Sequence, residues 1–141
     1  MSLDKDTLKG KVKFHHLGIA VKDFRKSINF YSNLGYEGSA AVVDDGQEAE
    51  LVMLRSEHLP HIELIKPLYE RSHLNNLLKT RSEAIYHMCY EVDDLEDVLG
   101  TLRKDFKVTC LKEQKQAVLF DGRNVSFYYV DGVGIVEFLE R

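Results

Sequence analysis

From Lys11 to Val21 apolar and polar residues alternate in "KVKFHHLGIAV", with Leu17, Ile19 and Val21 on one face and His16, Gly18 and Ala20 on the other, which predicts a strand. After Val21 the period changes. Phe24, Ile28, Phe30, Tyr31 and Leu34 recur at helical spacing, with Asp23 placed to cap the start and Gly35 just beyond the end. Three further strand patterns follow: "GYEGSAAVV", "EAELVMLRS" and "HIELIKP". The turn-like "DDGQ" separates the first two, and Pro67 stops the last. The unit reads β-α-β-β-β.

The second half repeats this order. A strand "AIYHMCYEV" is followed by a helix from about Asp94 to Lys104, then by "KVTCLKE", by "NVSFYYV" after a "DGRN" turn, and by "GIVEFLE" after "DGVG". Laid over the first half, His87 falls on His16, Val92 on Val21, Asp94 on Asp23, Leu95 on Phe24 and Leu99 on Ile28. His87 follows His16 by 71 positions and Glu137 follows Glu63 by 74, so about three residues separate the two copies in loop length. Repeats of this kind build one structure together. The expectation is a single α+β domain over 1–141, with module 1 at about 11–68, a linker containing a short helical turn at about 69–83, and module 2 at about 84–141. If a pseudo-twofold axis relates the modules, equivalent positions converge across a cleft.

The repeated residue types then say what the cleft holds. Strand alternation sends His16 away from the Leu17/Ile19/Val21 face and Glu63 away from Ile62 and Leu64. His87 likewise opposes Met88, Tyr90 and Val92, and Glu137 opposes Val136 and Phe138. A single strand histidine is more often a hydrogen-bonded core residue than a ligand, and a glutamate near a strand end is usually solvated. Duplication of all four changes that, because two inward carboxylates without counter-charges are costly to bury. Two imidazoles and two carboxylates suit one divalent ion (Co²⁺, Ni²⁺, Mn²⁺ or Zn²⁺) with positions open for water or substrate. His15, His58, His61 and His73 have no counterpart histidine in the second half and are read as non-ligands.

Composition narrows the partners. The 141 residues carry a formal net charge of -4, with basic residues scattered and no basic helix face, which argues against nucleic acid. No apolar run approaches the roughly 20 residues of a membrane span, and the first ten residues hold no signal-peptide core, so a cytoplasmic protein is expected. The opening "MSL" is set aside as a cloning remnant. Cys89 and Cys110 both lie in apolar strand-like runs and are expected as buried reduced thiols; two cysteines exclude a multi-cysteine zinc site.

Four stretches, "HHLGIAVKDFRKSINFY", "HIELIKP", "YHMCYEVDDLEDVL" and "GIVEFLE", resemble the vicinal oxygen chelate superfamily and, within it, the methylmalonyl-CoA epimerase family. The resemblance runs from about Val12 to Glu140. It implies an open, curved, eight-stranded mixed sheet around a metal, a homodimer, and His16, Glu63, His87 and Glu137 as ligands. The implied reaction removes a proton beside a thioester carbonyl and returns it on the other face. Glu137 would serve as one acid/base and Glu50, in "GQEAELVML", as the other, with Glu48 its rival.

Two segments depart from that family, which commonly has adjacent histidines and glycines where this chain has "SEAIYHM" and an aspartate-serine-proline motif where it has "YERSHLNN". Arg71, Lys79, Arg81 and Arg123 are candidates for binding phosphate or a substrate carboxylate, with a solvated surface role as the ordinary alternative. The same ligand set also serves a lactoylglutathione lyase acting on a thiol adduct, although "VDGVGIVEF" lacks the turn usual there. An extradiol dioxygenase needs only one carboxylate, and Glu63 argues against it. A metal-free antibiotic-binding protein is the alternative of another class.

Overall fold

Asp23 and Asp94 make the same local switch in each half. Each has extended backbone, and its carboxylate accepts a backbone N–H of the next turn, from Arg25 at 2.9 Å and from Asp97 at 3.1 Å. The strand therefore ends and a helix begins at an N-cap. At the far end of the first helix the chain turns at Gly35, whose φ of +101° is a conformation that favours glycine.

A computed structural model describes residues 8–141; the "MSL" set aside above lies outside them. In chain order the elements are β1 (Val12–Val21), α1 (Phe24–Asn33), β2 (Glu37–Gly38), β3 (Val42–Asp44), β4 (Ala49–Arg55) and β5 (Ile62–Pro67). They continue with α2 (Leu74–Leu77), β6 (Glu83–Val92), α3 (Leu95–Leu102), β7 (Val108–Gln116), β8 (Asn124–Val130) and β9 (Gly134–Glu140). All strands join one mixed sheet in the order β2-β4-β5-β1-β6-β9-β8-β7, with β3 also paired to β4. The order reads alike from both ends. In each half the first strand lies parallel to the last, β1 with β5 and β6 with β9, and the two first strands pair antiparallel at the centre.

Among the described residues the sheet has nine strands where eight were expected, because "GYEGSAAVV" is broken. Gly38 pairs with Leu54 and Val42 with Leu51, so Ser39–Ala41 face only Val52 and Met53, and one extra residue makes a bulge. Ser39 holds the break together. Its N–H donates to the Met53 carbonyl and its hydroxyl accepts the Met53 N–H.

Helices α1 and α3 cover one face of the sheet. Phe24, Ile28 and Tyr31 pack on Ile19, Val52, Leu54, Ile62 and Leu64, while Leu95, Val98 and Leu99 pack on Val92, Tyr128, Val136 and Phe138. The opposite face curls. Lys112 on β7 donates to the Gly46 carbonyl at 2.7 Å and Lys115 reaches Asp44 at 3.4 Å, and strands from opposite ends of a sheet meet this way only across a concave face. The linker crosses that face too, with Leu74 and Leu78 buried against Ala20, Leu51 and Ile65. One expectation fails at the edge: Cys89, in the centre, is buried, but Cys110 is exposed, because β7 is an edge strand whose register shifts between Cys110 and Lys112.

Candidate metal centre

Two irregularities in the central β1·β6 pair shape the site. Between Phe14 and His16 the register slips so that both His15 and His16 fall opposite Cys89, and between Gly18 and Ile19 a second slip leaves Tyr86 and His87 adjacent at Gly18. Each bulge frees two consecutive side chains from strict alternation. Gly18 is fitted to its neighbour: a Cβ there would stand 2.3 Å from Cε1 of His87. The His87 ring therefore occupies the space where a side chain would have been.

His16 and His87 point at each other across this pair, with their Nε2 atoms 3.2 Å apart. Glu137, on β9 beside β6, brings Oε1 to 3.2 Å from His16 Nε2 and 3.1 Å from His87 Nε2. Glu63, on β5 beside β1, stands farther back, at 3.9 and 3.8 Å from the same nitrogens. All four side chains are at most 3% exposed. Within this group Oε1 of Glu63 and Oε1 of Glu137 have no aligned hydrogen-bond donor. Ligand atoms around one ion at about 2.1 Å stand about 3 to 3.4 Å from each other, and the His16/His87/Glu137 spacings match. Two buried imidazole nitrogens and a buried carboxylate converging at these spacings fit a bound cation, and His16, His87 and Glu137 form a group able to hold one.

The electrostatics separate the two carboxylates. Burial, with Glu137 and Asp44 nearby, pushes Glu63 up to about 8 against the pull of His16. Burial would raise Glu137 too, but His87 and His16 hold it well below the usual carboxylate range. Around them sit groups that alternation alone does not reveal. His15 Nδ1 is 2.8 Å from His16 Nδ1, and burial followed by His16 lowers His15 to about 4. Burial and then Glu137 push the Cys89 thiol up. Tyr86, pushed up to about 12 by burial and then by Glu137 and Glu63, bonds through its hydroxyl to His73 Nε2 at 3.0 Å. Phe120 stacks on His16 at 5.4 Å, and Phe127 meets His87 edge-on at 5.3 Å. One signal for His15 and Tyr86 was available: they occupy the same place in the repeat, each just before a histidine of the set.

Glu50, expected as the second acid/base, does not join this group. On β4 it pairs with Lys66, as Val52 pairs with Leu64 and Leu54 with Ile62, so it shares the face that α1 covers. Its carboxylate lies 3.2 Å from Lys66, whose ammonium sits over the Phe24 ring of α1. The concave face of β4 carries Ala49, Leu51 and Met53 instead, Met53 opposite Glu63. Glu48 lies in the β3–β4 turn at φ +52° and pairs with Arg71 at 3.0 Å. Arg71 also stacks over Tyr69, and Arg123 is held by Glu91 and the Glu140 carbonyl, while Lys79 and Arg81 are exposed.

Known proteins share this architecture. The chain is 34% identical over 94 residues to the mitochondrial methylmalonyl-CoA epimerase of Dictyostelium discoideum, an overlap of 64% of this chain and 55% of that protein. It is 32% identical over 106 residues to the human mitochondrial methylmalonyl-CoA epimerase, covering 72% of this chain and 58% of that one. The chain thus spans a little over half the length of these curated relatives. The crystal structure of methylmalonyl-CoA epimerase from Mycobacterium tuberculosis superposes with a TM-score of 0.74 at 23% identity, over 91% of this chain and 87% of that one, which is a likeness of fold. Residues 15–127 match the family model for the Glyoxalase/Bleomycin resistance protein/Dioxygenase superfamily, and with its doubled modules and their four inward-facing His and Glu side chains, the chain belongs to that superfamily.

Proposed function

We propose that this protein is a metal-dependent enzyme that moves a proton beside a thioester carbonyl, a methylmalonyl-CoA epimerase-like activity. The observation that carries the reading is the buried convergence of His16, His87 and Glu137, with Glu63 behind them, in a chain whose curated relatives bear that name. His16, His87, Glu137 and Glu63 would hold one divalent ion, of which Co²⁺, Ni²⁺, Mn²⁺ and Zn²⁺ all suit the donor set. A bound ion would supply Lewis-acid stabilisation of the charge that develops on the thioester oxygen as the α-proton leaves.

The chain's own groups handle the proton. Glu137, held ionised between the two imidazoles, is the base, and it would take the α-proton on its carboxylate. Inversion needs a second proton carrier reaching the other face of the planar enolate. Glu63 is a concave-face carboxylate set back from the imidazoles, and it takes that role in place of Glu50. The aromatic cover of Phe120 and Phe127 excludes water, which strengthens every charge interaction inside. A homodimer belongs to the same proposal; Phe14, Ile85 and Met88, exposed on the helix-bearing side of β1 and β6, are the apolar surface it would cover.

Two linked measurements test this. Protein prepared without chelator is expected to carry close to one divalent ion per chain by elemental analysis, with His87→Ala nearly empty. The loaded protein is expected to convert a single stereoisomer of methylmalonyl-CoA to the mixture of both. Turnover of the methylglyoxal–glutathione adduct alone would move the protein to the lyase branch, and inactivity on both substrates would overturn the proton-transfer reading.

A further inference from the structure

We infer that His15 sets the ring orientation and tautomer of His16 through their Nδ1–Nδ1 contact, and so tunes the grip of the site on its ion, as a positioning residue and not a fifth ligand. This rests on the metal reading above.

The two nitrogens of His16 face different surroundings. Nε2 looks into the donor group, toward His87 Nε2 at 3.2 Å and Glu137 Oε1 at 3.2 Å. Nδ1 looks the other way, to His15 Nδ1 at 2.8 Å. A nitrogen–nitrogen contact that short needs one proton between the two atoms. Nε2 can offer a lone pair to a cation only when the neutral ring carries its proton on Nδ1. The proton in the contact then belongs to His16, which donates to His15, and His15 keeps its own proton on Nε2. The register slip that puts both histidines opposite Cys89 is what makes this contact possible, and His15 is fixed in turn by the edge of Phe120 at 5.0 Å. Cys89 also comes within 4.8 Å of these histidines, and it is the cross-strand partner of Glu137.

The other half of the repeat provides the contrast. Tyr86 stands where His15 stands, but its hydroxyl goes to His73, and His87 Nδ1 is buried without a hydrogen-bond partner among the described residues. Among the described residues, His16 is therefore held by a hydrogen bond from behind and His87 is not. Outer partners of metal-bound histidines typically change metal affinity by about 10- to 100-fold, so the effect should be measurable.

The experiment is Zn²⁺ affinity by competition with a chromophoric chelator for wild type, His15→Ala and His15→Asn, with melting temperatures of the metal-free proteins as a check on folding. His15→Ala is expected to bind about 10- to 100-fold more weakly, and His15→Asn, whose amide oxygen can accept the same proton, to recover most of the loss. Nitrogen-15 NMR of Zn²⁺-loaded wild type is expected to show a scalar coupling between His16 Nδ1 and His15 Nδ1 across their hydrogen bond, a signature that neither packing nor zinc binding alone would produce. Unchanged affinity in a folded His15→Ala, or no coupling between the two Nδ1 atoms in the loaded wild type, overturns the inference while leaving the metal site standing. Should His15→Ala not fold, the NMR result on wild type decides. A wild type that takes up no Zn²⁺, Co²⁺, Ni²⁺ or Mn²⁺ overturns the metal reading and this inference together.

Discussion

Glu91 ties the end of the chain to the sheet. Its carboxylate receives Arg123 and Arg141, and although partial burial works against ionisation, these guanidinium groups hold it below its ordinary 4.5. A carboxylate with a depressed folded pKa contributes stability above its unfolded pKa and loses it as the pH falls through the folded value. Glu91→Gln is therefore expected to cost about 1 kcal/mol at neutral pH, and denaturant curves should show the gap to wild type closing below about pH 4. A gap that stays constant with pH would mean that the contact works by packing. At the same scale, Gly18 and Glu50 illustrate opposite lessons. Gly18 is fixed by the ring of His87, which lies where its side chain would be, whereas Glu50 is one residue out of phase with the face it would need.

At the scale of elements, the strands and helices were legible because their periods are clean and their ends are marked by Asp23, Asp94, Gly35 and Pro67. Four ligand candidates could be placed on one face from alternation and repetition alone. What escaped is what alternation cannot encode: a bulge shifts the phase of a strand by one, so the broken second strand, the inward turn of His15 and Tyr86 and the exposed Cys110 were hidden. The β7–β8 turn that carries Phe120 escaped as well, since its target, His16, lies about a hundred residues earlier in the chain. That turn covers the candidate metal centre. Phe120→Ala is expected to destabilise the fold by about 3 kcal/mol and to let EDTA strip the ion several-fold faster in stopped-flow measurements. Stripping at the wild-type rate would show that another element controls access.

At the scale of the molecule, duplication does the main work. One β-α-β-β-β unit offers a histidine and a glutamate on a half-open sheet, and joining two units along their first strands brings both pairs to one buried point. The meeting of Lys112 and Lys115 with the β3–β4 turn closes the curve, so the donors lie inside and the helices outside. This point is expected to hold an ion, with Glu137 moving the proton there. The most direct measurement incubates one stereoisomer of methylmalonyl-CoA with metal-loaded protein in D₂O and follows deuterium at the α-carbon by mass spectrometry. Wild type and Glu50→Gln are expected to incorporate deuterium at similar rates, and Glu137→Gln to be slower by at least about 100-fold. Undiminished exchange in Glu137→Gln, or no exchange in the loaded wild type, would contradict the account.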